Sequence, residues 1–253
     1  MLIPKVIMKL LVQKAGEARK DCNDRIAINE RVHQYAVADG ATRSFLSSIW
    51  AELLVKYFCS DKYDNDLIQI KKDWRKWLAV IQKKWRKHAE TKVAKNKKYY
   101  LINRLNQNES AVSTFVGIEF KNEGQHLSWQ AMIVGDTCLF HLRFKNKKYR
   151  TDRYLLKKAS QFDSFPEYFA SYEKDNKYEP SFIEGTCQQG DYFIIATDAL
   201  AQWIMSYIDL KNKNPLKILE RLTEETIDKL RKNKSLKLEN DDVAILILEV
   251  TKA

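Results

Sequence analysis

Apolar residues along this chain recur with two different periods, and the period switches several times. Over 33–39 (HQYAVAD), 112–120 (VSTFVGIEF), 127–136 (LSWQAMIVGD), 191–198 (DYFIIATD) and 241–250 (DDVAILILEV) they alternate or run together. These segments are rich in β-branched and aromatic types, which predicts strands. The opening MLIPKVIMKLLV is broken by Lys5 and Lys9. It is too short to span a bilayer and has no small-residue cleavage site, so it reads as a first strand. Between the strands the period lengthens to three or four. Phe45, Leu46, Ile49, Trp50, Leu53, Leu54, Tyr57 and Phe58 form one apolar face, predicting a helix over 45–58. Leu67, Ile70, Trp74, Trp77, Leu78, Ile81 and Trp85 predict a second over about 66–88. Further helices are predicted over 199–208 and over 215–233, the latter with Pro in its first turn and a basic end. Strands and helices come in blocks rather than in strict alternation, which favours an α+β layered fold with antiparallel sheets.

Composition adds limits. With 253 residues, 45% of them hydrophobic, only 7 Gly and 4 Pro, and no linker-like stretch, the chain reads as a single domain over 1–253. Cys22, Cys59, Cys138 and Cys187 make no CxxC pair, so reduced thiols and a cytoplasmic location are expected. The four histidines form no HxxxH or HExxH pattern, which argues against zinc; His33 and His126 read as sheet-edge residues. Residues 71–98 carry 12 Lys/Arg against Asp73 and Glu90, and so hold nearly all of the net charge of +11.

Three predicted strands end in an acid, at Asp39, Asp136 and Asp198, and a fourth opens with Asp241 and Asp242. In an antiparallel sheet the start of one strand lies beside the end of its neighbour, so these carboxylates can share one rim. Like charges so crowded repel, and a hard cation with oxygen ligands is the usual compensation.

The surrounding residues resemble the PPM-type (type 2C) metal-dependent protein serine/threonine phosphatases, in the style of bacterial members. The resemblance runs from about Gly16 to Val250 as six ordered motifs. They are GEARKDCNDRIAI (16–28), with Arg19 five residues before Asp24, then VADGAT (37–42), VSTFVGI (112–118), IVGDT (133–137), GDYFIIATDAL (190–200) and ENDDVAILIL (239–248). It implies a β-sandwich of two antiparallel sheets flanked by helices, in α-β-β-α layers. It implies two Mn²⁺ or Mg²⁺ ions, bridged by Asp39, with the Gly40 carbonyl on one and Asp198 and Asp241 on the other. A third, weaker ion is implied at Asp136, a water-holding role for Asp24, and phosphate binding for Arg19. The implied reaction is hydrolysis of phosphoserine and phosphothreonine by metal-activated water. The implied partners are a phosphorylated protein substrate and a Ser/Thr kinase that opposes the enzyme.

Four departures from the family pattern stand out. Asn23 replaces the usual Glu, the Asp-Gly motif continues as Ala41-Thr42, Thr-Asp-Gly becomes Thr197-Asp198-Ala199, and Asp-Asn becomes Asp241-Asp242. The ligand carboxylates survive, so an active enzyme is expected, with weaker binding at one metal through Asn23. Two alternatives stay open: a catalytically weak module that binds a phosphorylated partner, and a basic nucleic-acid-binding protein on the same fold. The basic segment at about 66–98 bears on both. Trp74, Trp77 and Trp85 keep to one stripe, so they read as core, with nucleic acid the less favoured partner. Lys83, Lys84, Arg86 and Lys87 are expected to steer an acidic substrate. The irregular segment 160–182 is expected to form a surface loop near the site.

Overall fold

A computed structural model of the chain describes residues 1–62, 66–123, 126–145, 148–162, 165–211 and 213–253; Asp163 and Ser164 of the expected loop lie outside them. One sheet is formed by β1 (Leu2–Val12), β11 (Val243–Lys252), β10 (Tyr192–Ala196), β6 (Cys138–Lys145) and β7 (Lys148–Tyr154), in that order. The other is formed by β2 (Arg25–Asn29), β3 (Gln34–Gly40), β4 (Val112–Glu123), β5 (His126–Val134) and β9 (Ser181–Cys187), with the short β8 (Phe169–Ala170) also on β4. Every neighbouring pair is antiparallel.

The strands alternate, so each sheet has two apolar faces to bury. Tyr35, Val37, Val116, Ile118 and Trp129 from one sheet meet Leu139, Phe193, Ile195, Leu246 and Leu248 from the other. On the outer face of the second sheet lie α1 (Ser47–Phe58), α2 (Leu67–Lys72), α3 (Trp74–Asn96) and α4 (Tyr99–Asn106). The first sheet is covered by α5 (Asp198–Lys211), α6 (Leu216–Leu219) and α7 (Glu224–Arg231). The expected α-β-β-α layering is what the chain forms.

The helix expected over 66–88 is two helices, broken at Asp73, and the second continues to Asn96. The apolar period runs through the break, which hides it from a pattern search. Asp73 leaves the helical region (φ −150°, ψ 69°) and its carboxylate accepts from the Lys76 N–H at 3.0 Å, starting a new helix. Likewise, 215–233 divides into α6 and α7, because Thr223 and Thr226 form a capping box that restarts the chain. The helix expected from Phe45 begins at Ser47, since Leu46 sits in the left-handed region (φ 55°). Strands β2, β6, β7 and β9 carry mixed polar and charged residues and were not among the predicted runs.

Candidate functional site

The acids reach one end of the sandwich by two routes. Asp39 and Gly40 close β3, while Asp136 follows β5 across Gly135. Since β3 and β5 are both antiparallel to β4, they run the same way and finish at the same rim. In the other sheet β10 stops just before Asp198, and its antiparallel partner β11 starts just after Asp242. Each sheet thus delivers its acids to one edge, and sheet-on-sheet packing brings the two edges together.

The electrostatics register that meeting. Burial holds the Asp39 carboxyl well above the usual carboxylate range, and the charges of Asp24, Asp198 and Asp136 raise it further. Asp24 is raised first by burial, then by Asp242 and Asp198. Asp198 is pushed up to about 6 by burial, against the pull of the Ala199 N–H, with Asp241, Glu239 and Asp242 adding repulsion. The Asp24 Oδ2 atom accepts from Thr197 Oγ1 at 2.8 Å, while its buried Oδ1 receives no N–H or hydroxyl donor. The closeness of the two carboxyls adds to the upward shift of Asp39 and offsets part of that of Asp24. Protonation is the ordinary escape for buried like charges, and a cation is the other.

The donor set fits a hard divalent ion, being all carboxylate with a backbone carbonyl at Gly40. Among the described residues, no three His, Cys, Asp or Glu side chains close into a cage around one point. An open rim of this kind suits Mg²⁺ and ions like it, which keep several waters and take only one or two carboxylates from the protein.

Residues around the rim fix its shape. Gly40 is required by close approach: a Cβ there would lie 2.9 Å from the Ser47 carbonyl oxygen and 3.1 Å from that of Asn23. Asn23 Oδ1 accepts from the Ser47 hydroxyl at 3.2 Å, so the residue standing where the family has Glu is tied to α1. Asp242 accepts from the backbone N–H groups of Lys14 (2.8 Å) and Asn23 (2.7 Å), tying β1 and the Asn23-Asp24 segment to β11. Asp241 is half-exposed, with Lys14 Nζ 3.9 Å away. Its backbone oxygen is held by the buried Arg231 at 2.7 Å, and the same guanidinium also binds the Gln13 carbonyl at 3.0 Å. Neither Arg231 nor Thr197 was singled out beforehand. Thr197 adjoins Asp198 and could have been suspected, whereas nothing in the sequence around Arg231 marks it. Arg19 lies in a short 3₁₀ turn, exposed, and forms no ion pair with a described residue.

Beside Asp39 opens a cleft of about 310 Å³, walled by Ala41, Thr114, Phe165, Pro166, Tyr168 and Tyr178 among others. The segment 160–182 therefore borders the acids. Its Glu167 carbonyl presses on Gly135, where a Cβ would come within 2.4 Å and where φ is +85°. A glycine is needed there on both counts.

Trp74, Trp77 and Trp85 are buried in the helix–sheet core, as their spacing implied. That removes them as base-stacking platforms. No described helix is long and apolar enough to cross a membrane.

The sequence matches no protein-family model and no curated protein. Its structure is similar to solved ones over their full length. The catalytic domain of the serine/threonine protein phosphatase PstP, in complex with two manganese ions, aligns with a TM-score of 0.55 at 12% identity, covering all of both chains. PppA of Pseudomonas aeruginosa gives 0.56 at 16% identity over 98% of each. RsbX in complex with magnesium gives 0.51 at 14% identity, over 98% of this chain and all of the other. What this likeness shows is the fold, and it is the fold of the PPM-type serine/threonine phosphatases.

Proposed function

We propose that this chain, carrying the fold of bacterial serine/threonine phosphatases, is itself a metal-dependent phosphoprotein phosphatase acting on phosphoserine and phosphothreonine. The observation that carries the reading is the convergence of Asp39, Asp136, Asp198 and Asp24 from two sheets onto one rim, where burial and neighbouring acids raise Asp39, Asp24 and Asp198. An arrangement that costs stability in a protein interior is expected where chemistry uses it. The manganese and magnesium complexes of its structural neighbours support the choice of ion.

In this reading the whole chain is one catalytic unit. Asp39, the Gly40 carbonyl, Asp198 and Asp241 would hold two Mn²⁺ or Mg²⁺ ions, and Asp136 would hold a third, weaker one. Bound there, the ions supply a water of lowered pKa and offset the charge of the phosphoryl oxygens. Asp24, fixed by Thr197 through Oδ2, keeps Oδ1 without a donor and would hold a water there. Asp242 spends both oxygens on backbone N–H groups, so it shapes the rim rather than binding the ions. Arg19, exposed and without an ion pair to a described residue, is available for a substrate phosphate, which a planar guanidinium suits. A reducing compartment such as the cytoplasm fits four thiols that form no disulfide. A phosphorylated protein and an opposing Ser/Thr kinase are the partners this activity requires.

The engagement of Asn23 by Ser47 favours a second reading, in which weak metal binding leaves a module that captures a phosphorylated partner without turning it over. Hydrolysis of a small aryl phosphate and a phosphothreonine peptide, with Mn²⁺, with Mg²⁺ and with chelator, separates the two. Metal-dependent turnover is expected. Asp39→Asn and Asp198→Ala should each lower it by more than about a hundredfold, beyond what loss of a supporting residue costs. Folded protein that shows no turnover in excess Mn²⁺ leaves the binding module.

A further inference from the structure

The C-terminal half of α3 carries a feature that the rim does not use. Lys87, Lys92 and Lys95, with His88, Thr91 and Asn96, face an open groove of about 500 Å³ whose far side is Ile49 of α1. All six α3 residues are exposed, and the three lysines form no ion pair with a described residue. The nearest acids are already engaged, Glu90 by Arg86 at 3.2 Å and Glu52 by Lys56 and Arg25. Of the quartet expected to steer substrate, only Lys87 lines the groove. Arg86 is spent on Glu90, and Lys84 lies over the Tyr57 ring at 4.9 Å.

The groove and the candidate site share one element, the start of α1. Ile49 is two residues from Ser47, whose carbonyl abuts Gly40 and whose hydroxyl holds Asn23. Glu52, one turn on along α1, is 3.8 Å from Arg25, the neighbour of Asp24. The same stretch of α1 thus borders the groove through Ile49 and the acidic rim through Ser47. From Lys87 to Lys95 the helix rises about 12 Å, the length of roughly four extended residues.

We infer that this groove docks an acidic stretch of the protein substrate, flanking the phosphorylated residue presented to the rim. The inference rests on the phosphatase reading for the identity of the rim. Charge complementarity selects the occupant, since three lysines without local counter-charge favour carboxylates or further phosphates. A peptide is favoured over single-stranded nucleic acid because no Phe, Tyr or Trp lines the groove and His88 alone offers a ring, whereas successive unpaired bases are held by stacking on a series of such rings.

The test compares the wild type with the triple variant Lys87→Glu, Lys92→Glu, Lys95→Glu. A control with the same charge change elsewhere in the basic segment carries Lys71→Glu, Lys72→Glu and Lys76→Glu. The substrates are a phosphothreonine peptide with a flanking run of glutamates, the same peptide with alanines, and a small aryl phosphate. Expected is a loss of about tenfold or more in kcat/KM, through KM, for the glutamate peptide in the groove variant alone. Aryl phosphate turnover should stay within about twofold. Equal losses in both triple variants, or equal losses for both peptides, overturn the groove. If the wild type turns over nothing, the phosphatase reading has failed, and the groove is judged by anisotropy of the labelled glutamate peptide on the Asp39→Asn protein. Groove-dependent binding of that peptide then upholds it. Tighter groove-dependent binding of a single-stranded oligonucleotide overturns the peptide assignment.

Discussion

At the scale of single residues, the site depends as much on what is missing as on what is present. Gly40 lies in ordinary strand geometry and is needed only because Ser47 and Asn23 crowd the space a side chain would fill. Gly40→Ala should therefore cost about 1–3 kcal/mol by pushing α1 from the rim. Chemical denaturation would register that loss, and metal affinity, read by titration, should fall with it. An unchanged midpoint and unchanged affinity would mean that α1 yields without strain. The sequence marked Gly40 through the Asp-Gly pair, but the reason for it lies in Ser47, seven residues away. Asn23 is a related case. Its substitution was visible, while the Ser47 hydroxyl that occupies it was not.

At the scale of elements, periodicity located the longer helices and misjudged their ends, while the short α4 (Tyr99–Asn106) lies outside every predicted segment. The stripe through Trp74, Trp77, Leu78, Ile81 and Trp85 is continuous with Leu67 and Ile70, so the break at Asp73 is a capping event inside an unbroken pattern. Trp85 is fully buried, edge-on to Phe45 at 6.0 Å and to Tyr172 at 5.5 Å. It pins α3 to the segments entering α1 and leaving β8. Trp85→Ala is expected to cost about 3–5 kcal/mol, seen as a lowered denaturation midpoint, whereas Lys83→Ala on the exposed face should change stability by less than about 0.5 kcal/mol. Comparable effects would mean that the stripe is not core. Strands β7 and β9 lie at sheet edges, where half-buried and charged positions blur the alternation, as at Asp152 paired with Arg143. Strand β6 is an inner strand whose buried run, Cys138 to Leu142, includes the buried His141 and gives way to the exposed Arg143, so no long apolar pattern marks it.

At the scale of the whole molecule, the rim links protonation to stability. Asp198 has a folded pKa of about 6, above its ordinary value of 3.8, and Asp24 and Asp39 are shifted the same way. A raised carboxyl binds more protons folded than unfolded. Its contribution to stability is therefore complete below the ordinary value and is lost as pH rises through about 6. A divalent ion binds the ionised rim, so the melting temperature gained on adding Mn²⁺ should grow between about pH 5 and about pH 7.5. Calorimetry with and without the ion measures this, and a gain independent of pH would disconnect the carboxylates from the metal.

The sequence by itself determined which residues are acidic, which segments are apolar with period two or near four, and that four strand ends carry an aspartate. Those are local properties, written in neighbours a few positions apart. Only the tertiary structure decided that the acids of two separate sheets share one rim, that Arg231 of α7 holds the Asp241 carbonyl, and that three lysines of α3 border one groove against α1. Charge repulsion, close approach and complementarity act through space, between residues as far apart as Asp24 and Asp242, and no local pattern encodes such a distance.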